Sequence, residues 1–549
     1  MDAALLAELV AFSGIETEFN DAWGKPTQVA AADQLALLAA QGFNIADEAA
    51  ARTELIERQL DFWQQILSPV SVQTLGEPVK FELQVPLALA NHDFDLLLQT
   101  EQGQRYQFST EPVAGELVQV ALIEQEEYQQ YQHNLDYPLE AGYHRLILTC
   151  KDTDFSFEQS LIITPGSCYQ PPQFAQQKQW GVSLQLYGLR STRNWGIGDF
   201  TDLATLVNYL AGQGADFVGL NPIHALYPAM PESASPYSPS SRRWLNIIYI
   251  DVTAMPGYQQ CSTTQDRVST SAFSEALTTQ RERGWVDYSA VLQLKLPVMQ
   301  GLYQWFVQHS GKEAGLAADF AKFKREGGDS LRQLALYDAL HAFLIKQDSN
   351  HWGWPNWPEQ YRDLQSDAVQ QFALEHQPQL EFYCYLQFIA QQQLKAVQQQ
   401  AKTSGMLLGL YRDLAVGVSE ASTEIWSNGE LYCREASVGA PPDPLGPAGQ
   451  NWGLPPMHPY QLFSQAYQPM IDLFRSNMQD AGALRIDHVM ALLRLWWVPK
   501  SAENAGGGAY VYYPIMDLLG ILALESQRQQ AVIIGEDLGT VPDGIRELL

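Results

Sequence analysis

Basic residues are scarce in this sequence: 33 Lys and Arg stand against 62 Asp and Glu, leaving a net charge of −29. Nucleic acids and anionic membranes are bound through positive surface, so this balance disfavours both as partners. Cysteine is scarcer still. The five cysteines, Cys150, Cys168, Cys261, Cys384 and Cys433, are odd in number, scattered, and without a Cys-x-x-Cys pair. That pattern fits neither a disulfide framework nor a zinc site and reads as ordinary reduced thiols. No apolar run is long enough to span a bilayer. The first basic residue is Lys25, so the positive n-region of a secretory signal is lacking, and a cytoplasmic location is the expectation. No internal repeat or low-complexity tract stands out either.

Apolar residues are plentiful, at 46% of 549 positions, so the negative charge describes a solvated surface on a packed protein rather than a disordered chain. At roughly 150 residues per domain the length suggests two to four units. Aromatic residues make up 11%, and many stand beside Gly, Pro or Asn, as in Trp195-Gly196, Trp352-Gly353-Trp354-Pro355 and Asn451-Trp452-Gly453. Flat rings in loops match the apolar faces of sugars, and they equally well anchor loops to a core.

Residues 1–70 read as a helical unit, with apolar spacing through Val29, Leu35, Leu37 and Leu38, a stop at Gly42 and a second run from Asp47 towards Leu67. From 71 to 166 the period becomes two: Val79 to Val85 alternates, and His144 to Cys150 and Ser156 to Thr164 read as further strands, predicting a small antiparallel β-sandwich. After Pro171-Pro172 the pattern is α/β. Trp180–Leu189, Asp216–Ile223, Met406–Leu414, Ala483–Val489 and Ala531–Gly535 read as buried strands, and Asp199–Ala211 as a helix. The span from Ile223 to Met406 is too long for a simple crossover, so residues 167–549 read as a parallel (β/α) barrel with a helical insertion at about 260–400.

Barrels carry catalytic groups at the C-terminal ends of their strands. Asp487 ends Ala-Leu-Arg-Ile-Asp and Glu536 ends Ile-Ile-Gly-Glu. Alternation places Arg485 and Asp487 on one face, where the guanidinium would keep the carboxylate ionised as a nucleophile needs. The apolar residues before Glu536 predict a setting that raises its pKa and keeps it protonated as an acid. Such a pair is the constellation for glycosidic cleavage with retention. Taken singly, Asp487 also fits a structural ion pair or a metal ligand shared with His488, and Glu536 a loop acid capping backbone N–H groups.

Six runs then bring a resemblance into view: Trp195-Gly-Ile-Gly-Asp-Phe200, Gly219-Leu-Asn-Pro-Ile-His-Ala-Leu-Tyr227, Ser235-Pro-Tyr-Ser-Pro-Ser-Ser-Arg242, Gly449-Gln-Asn-Trp-Gly-Leu-Pro-Pro456, Leu484-Arg-Ile-Asp-His488 and Gly535-Glu-Asp-Leu-Gly539. In this order they resemble the amylomaltases, the 4-α-glucanotransferases of maltodextrin metabolism, with an N-terminal extension like that of the longer enterobacterial-type members. The resemblance implies a (β/α)8 TIM-type barrel, Asp487 as nucleophile and Glu536 as general acid/base. It further implies that Arg485 and His488 hold the sugar at the cleavage site and that Asp413, ending Gly409-Leu-Tyr-Arg-Asp, is a positioning acid. Tyr237 and Ser235, with Gln450 and Trp452, would line the groove. The expected substrates are maltose, maltotriose and longer α-1,4-glucans, with no cofactor or metal. On their own residues, Asp413 also reads as a buried salt-bridge partner and Tyr237 as a packing residue.

One departure stands out. The family's third carboxylate, in a Thr-His-Asp motif, has no counterpart here, since neither Asp537 nor Asp543 sits in such a motif and the sequence ends shortly after Glu536. The expectation is therefore a C-terminally shortened form with an unclosed barrel, inactive or unstable as it stands. Two rival functions share the same residues: an α-glucan hydrolase of the amylase type, and a glucan-binding protein without catalysis.

Overall fold

The computed structural model describes residues 1–150, 155–444, 446–542 and 544–549, so Asp543 and the Cys150 side chain lie outside the described residues. Five parallel strands lie side by side in chain order: Gly181–Leu184, Phe217–Leu220, Gly409–Leu414, Ala483–Ile486 and Val532–Gly535. Each falls inside the apolar run that predicted it and is shorter, because the flanking residues already turn into loops. The three inner strands are buried as predicted, but the outer two are largely exposed, since among the described residues each has a neighbour on one side only. Helix Phe200–Ala211 joins the first two strands. Asp199 caps it by accepting from the Thr201 and Asp202 N–H groups, and the Asp202 carboxylate returns the bond, a capping box that contributes about 1 kcal/mol. Arg193 pairs with Asp199 and lies 2.9 Å from both Asp202 and Asp251. Trp195 is buried edge-on against Phe273, 5.1 Å between ring centres. The Trp-Gly-Ile-Gly-Asp run is thus a helix entry and a core anchor.

Between the second and third strands the insertion is helical, running from Ser262–Val268 to Gln377–Thr403. Its long Ala314–Gln347 helix bends where Gly328 leaves helical geometry at φ +51°. Lys295 on the Tyr288–His309 helix is buried, and its ammonium donates to the Ile248 and Ile250 carbonyls at 2.6 and 2.9 Å, tying the insertion to the barrel. Burial pulls this lysine down to about 8, with Asp199 and Asp251 opposing.

The β-sandwich pairs a five-stranded sheet with a three-stranded one, and it has an apolar core of its own around Leu83, Phe94, Leu146 and Leu161. It is not purely antiparallel as the sequence predicts, because Val70–Thr74, which enters the unit, lies parallel to Ser156–Thr164, which leaves it. The N-terminal unit is helical as expected: Ala31–Ala40 and Glu48–Trp63 fall on the two predicted runs, Ala3–Phe12 precedes them, and a short hairpin of Glu18–Asn20 and Pro26–Gln28, which the sequence reading missed, leads through Val29 into the second helix. Their core is continuous with that of the barrel. A second feature missed is an antiparallel sheet above the barrel, ordered Gln450–Leu454, Ala436–Ala440, Arg494–Pro499, Ala509–Tyr512. Gln450 and Trp452, read as a loop, form its edge strand.

Cys261, Cys384 and Cys433 are buried free thiols, and Cys168 is a half-buried one. Among the described residues no helix is long and apolar enough to cross a membrane.

Gly482 precedes the fourth barrel strand at a close approach: a Cβ there would stand 1.8 Å from the Leu408 carbonyl oxygen. Gly482→Ala is expected to push this strand from the third and cost about 2–3 kcal/mol, measured by urea unfolding, whereas Gly405→Ala, in open space at φ +94°, should cost only about 1 kcal/mol of backbone strain.

Candidate functional site

The parallel register places Asp413 directly across from Arg485 on the neighbouring strand. Two residues on, Asp487 shares Arg485's face, so the guanidinium meets both carboxylates: Nη1 donates to Asp413 Oδ1 at 2.6 Å and to Asp487 Oδ1 at 2.9 Å. The ion pair thus includes Asp413 as well as the Asp487 expected from alternation. Burial alone would lower the Arg485 guanidinium, but its bonds to the two carboxylates outweigh that and hold it above its ordinary value. Asp413 is almost fully buried. Desolvation raises its carboxyl, Arg485 opposes, the Asp487 charge adds, and the result is about 6.

Tyr237, on the loop after the second strand, points its hydroxyl to Asp413 Oδ2 at 3.2 Å. Burial and the charges of Asp413 and Asp487 push that phenol up to about 12, so it stays a donor. Ser235 sits two residues earlier in the same exposed turn, where its carbonyl accepts the Ser238 N–H. It is the one predicted site residue that the structure does not bring to the carboxylates.

At the end of the fourth strand His488 takes a left-handed conformation, φ +51° and ψ +65°. A non-glycine residue there is uncommon and costs on the order of 1 kcal/mol or more. The turn swings the His488 N–H onto Glu536 Oε2 at 2.8 Å, while Leu538 N–H donates to Oε1 at 2.9 Å. The apolar surroundings predicted for Glu536 are therefore not found: Ile534, two residues earlier, is exposed, and both carboxylate oxygens accept backbone N–H groups. The capping geometry left open in the sequence is present, and it fixes the orientation of the acid. Burial lowers the His488 imidazole, against Glu536 and Asp487, which favours its neutral form. Trp452 stands edge-on to that ring at 5.4 Å, with its indole N–H on Gln450 Oε1 at 3.0 Å.

A cleft of about 290 Å³ opens here, and its wall holds Gln450, Trp452, Asp487, His488 and Glu536. It also holds Arg494, Trp496 and Tyr510, which the sequence reading passed over. The only signal was the doubled Trp496-Trp497 in an apolar run just after Asp487. Among the described residues no three His, Cys, Asp or Glu side chains gather to hold a metal ion. Hydroxyl-rich ligands suit such a cleft, with carboxylates below, an indole at the side and a half-buried arginine fixing the charges.

Asp413 makes stability depend on pH. Its folded value near 6 exceeds the unfolded value of about 3.9, so the contribution is full below about pH 4 and is lost as pH rises through 6. Relative to Asp413→Asn, the wild-type chain is expected to lose about 2–3 kcal/mol between pH 4 and 7.5. Urea unfolding of both proteins checks this, and a pH-independent difference would rule it out.

Residues 184–549 match the family described as 4-alpha-glucanotransferase, glycoside hydrolase family 77, and residues 66–165 match the MalQ N-terminal beta sandwich domain. A Haemophilus influenzae 4-alpha-glucanotransferase is 44% identical over 74% of this chain, and the match spans 59% of that protein's length. The 4-alpha-glucanotransferase of Mycobacterium tuberculosis is 33% identical over 100% of this chain and 74% of its own. Among solved structures, the amylomaltase of Corynebacterium glutamicum superimposes with a TM-score of 0.84 at 28% identity, covering 100% of this chain and 74% of that one. The five parallel strands are accordingly part of the family's TIM-type barrel. With two thirds of its length matched by the family, the chain belongs to the 4-alpha-glucanotransferase family, glycoside hydrolase family 77.

Proposed function

We propose that the protein transfers α-1,4-glucan segments between maltodextrins by double displacement, with Asp487 as nucleophile and Glu536 as acid and base. Asp487 attacks the anomeric carbon while Glu536 gives its proton to the departing glycosidic oxygen, leaving a β-linked glucosyl-enzyme and a free glucan. The 4-hydroxyl of a second glucan then loses its proton to Glu536 and displaces Asp487, so two inversions return the α-linkage. Arg485 and Asp413 hold the nucleophile, Tyr237 donates to Asp413, and His488 with Trp452 and Gln450 border the sugar.

A single observation carries this reading. Two carboxylates on adjacent strand ends line one cleft, one tied to a half-buried guanidinium and the other fixed by two backbone N–H groups. Its support from relatives lies in their names as 4-alpha-glucanotransferases.

Incubation with maltotriose, followed by chromatography, is expected to yield glucose together with maltodextrins longer than the substrate. Asp487→Asn should reduce that redistribution by at least about a thousandfold. Glucose and maltose without longer products would instead identify a hydrolase, and binding without turnover a carbohydrate-binding protein.

A further inference from the structure

The N-terminal unit reaches the wall of the cleft. Glu16, just before the Glu18–Asn20 strand, accepts from Arg494 Nη1 at 3.0 and 2.7 Å, and the Tyr512 hydroxyl donates to the same carboxylate at 2.8 Å. The Arg494 guanidinium lies 3.9 Å over the Tyr510 ring. Phe19 of the same hairpin packs edge-on against Trp496 and Tyr510, 4.9 and 6.0 Å between ring centres. Arg494, Trp496 and Tyr510 all line the cleft that holds Asp487 and Glu536.

The clamp has a chemical logic. An arginine left free beside two carboxylates would pair with them and compete for the charges the reaction needs. Glu16 and the Tyr510 ring together satisfy one nitrogen and one face of the guanidinium. Among the described residues Nη2 makes no hydrogen bond, so its donors remain for a ligand in the cleft. A planar cation with fixed donors over an aromatic ring suits the vicinal hydroxyls of a sugar.

We propose that Arg494 is a glucan-binding residue of the cleft, and that Glu16 of the N-terminal unit is the positioning residue that holds it there. The inference rests on the glucan reading above and assigns the first 30 residues a part in substrate recognition.

The test is calorimetric titration of maltoheptaose into a parent carrying Asp487→Asn, so that sugar is bound and not turned over. Arg494→Gln is expected to weaken binding roughly tenfold or more, the loss of a hydrogen bond from a charged donor. Glu16→Gln should weaken it in the same direction by a smaller factor, and Glu16→Gln with Arg494→Gln together should bind no more weakly than Arg494→Gln alone. The proposal is overturned if Arg494→Gln, folded by circular dichroism, binds within twofold of the parent, or if the two losses multiply in the double variant. Should Arg494→Gln fail to fold, Arg494→Lys takes its place in the same cycle under the same criteria. Failure of the parent to bind maltoheptaose overturns it as well. Maltotriose redistribution by the unsubstituted chain reports separately on the transferase reading. A chain that binds as expected without redistributing would sink that reading and leave Arg494 in place.

Discussion

One guanidinium organises the site. Arg485 is shared between Asp413 and Asp487, and removing it would leave two carboxylates facing each other at the end of a barrel, one of them almost fully buried. A buried charge without its partner costs several kcal/mol. The parallel pairing of the third and fourth strands brings Asp413 opposite Arg485. The alternation of a strand then aligns Asp487 with them. Tyr237, arriving from the loop after the second strand, donates to Asp413, whose carboxyl is displaced towards neutrality. Sheet register, side-chain charge and loop placement are thus one arrangement seen at three scales.

Above the barrel a second arrangement depends on the first. The His488 turn that follows Asp487 directs a backbone N–H onto Glu536 and leads the chain through a short turn into the antiparallel sheet that supplies Arg494 and Trp496. That sheet carries Trp452 at its outer edge, and the N-terminal hairpin packs against its strands. The N-terminal helices share the barrel's apolar core, whereas the sandwich keeps one of its own.

Much of this was legible in residue order. The positions of the five barrel strands, the capped helix at Asp199 and the helical insertion all follow from period and punctuation, because parallel strands read as short apolar runs and Asp is a strong N-cap, although the two outer strands are not buried as their runs suggest. Arg485 beside Asp487 follows from the two-residue repeat. What could not be read depended on distant partners. Asp413 opposite Arg485 is a matter of strand register, and the edge strand at Gln450–Leu454 contains a glycine and a Trp with no alternation to betray it. The surroundings of Glu536 were misjudged because apolar neighbours in sequence point elsewhere once the strand ends, leaving Ile534 exposed and the carboxylate among backbone donors. Similarly, Trp195 and Trp354 sit beside glycines as groove residues would, yet both are buried anchors.

The helical insertion has a consequence for how the molecule comes together in time. Tyr237 and Asp413 are 176 positions apart, and Glu16 and Arg494 are 478 apart. Closing loops of that length costs entropy before any contact rewards it, although the cost rises only with the logarithm of length. During synthesis the hairpin bearing Glu16 and Phe19 emerges well before Arg494 and Trp496 and waits through the 478 positions that separate Glu16 from Arg494. The sandwich, with a separate core, can form meanwhile. The cleft is consequently among the last parts of the molecule to assemble, and the residues that do its chemistry meet only after the scaffold that holds them has closed.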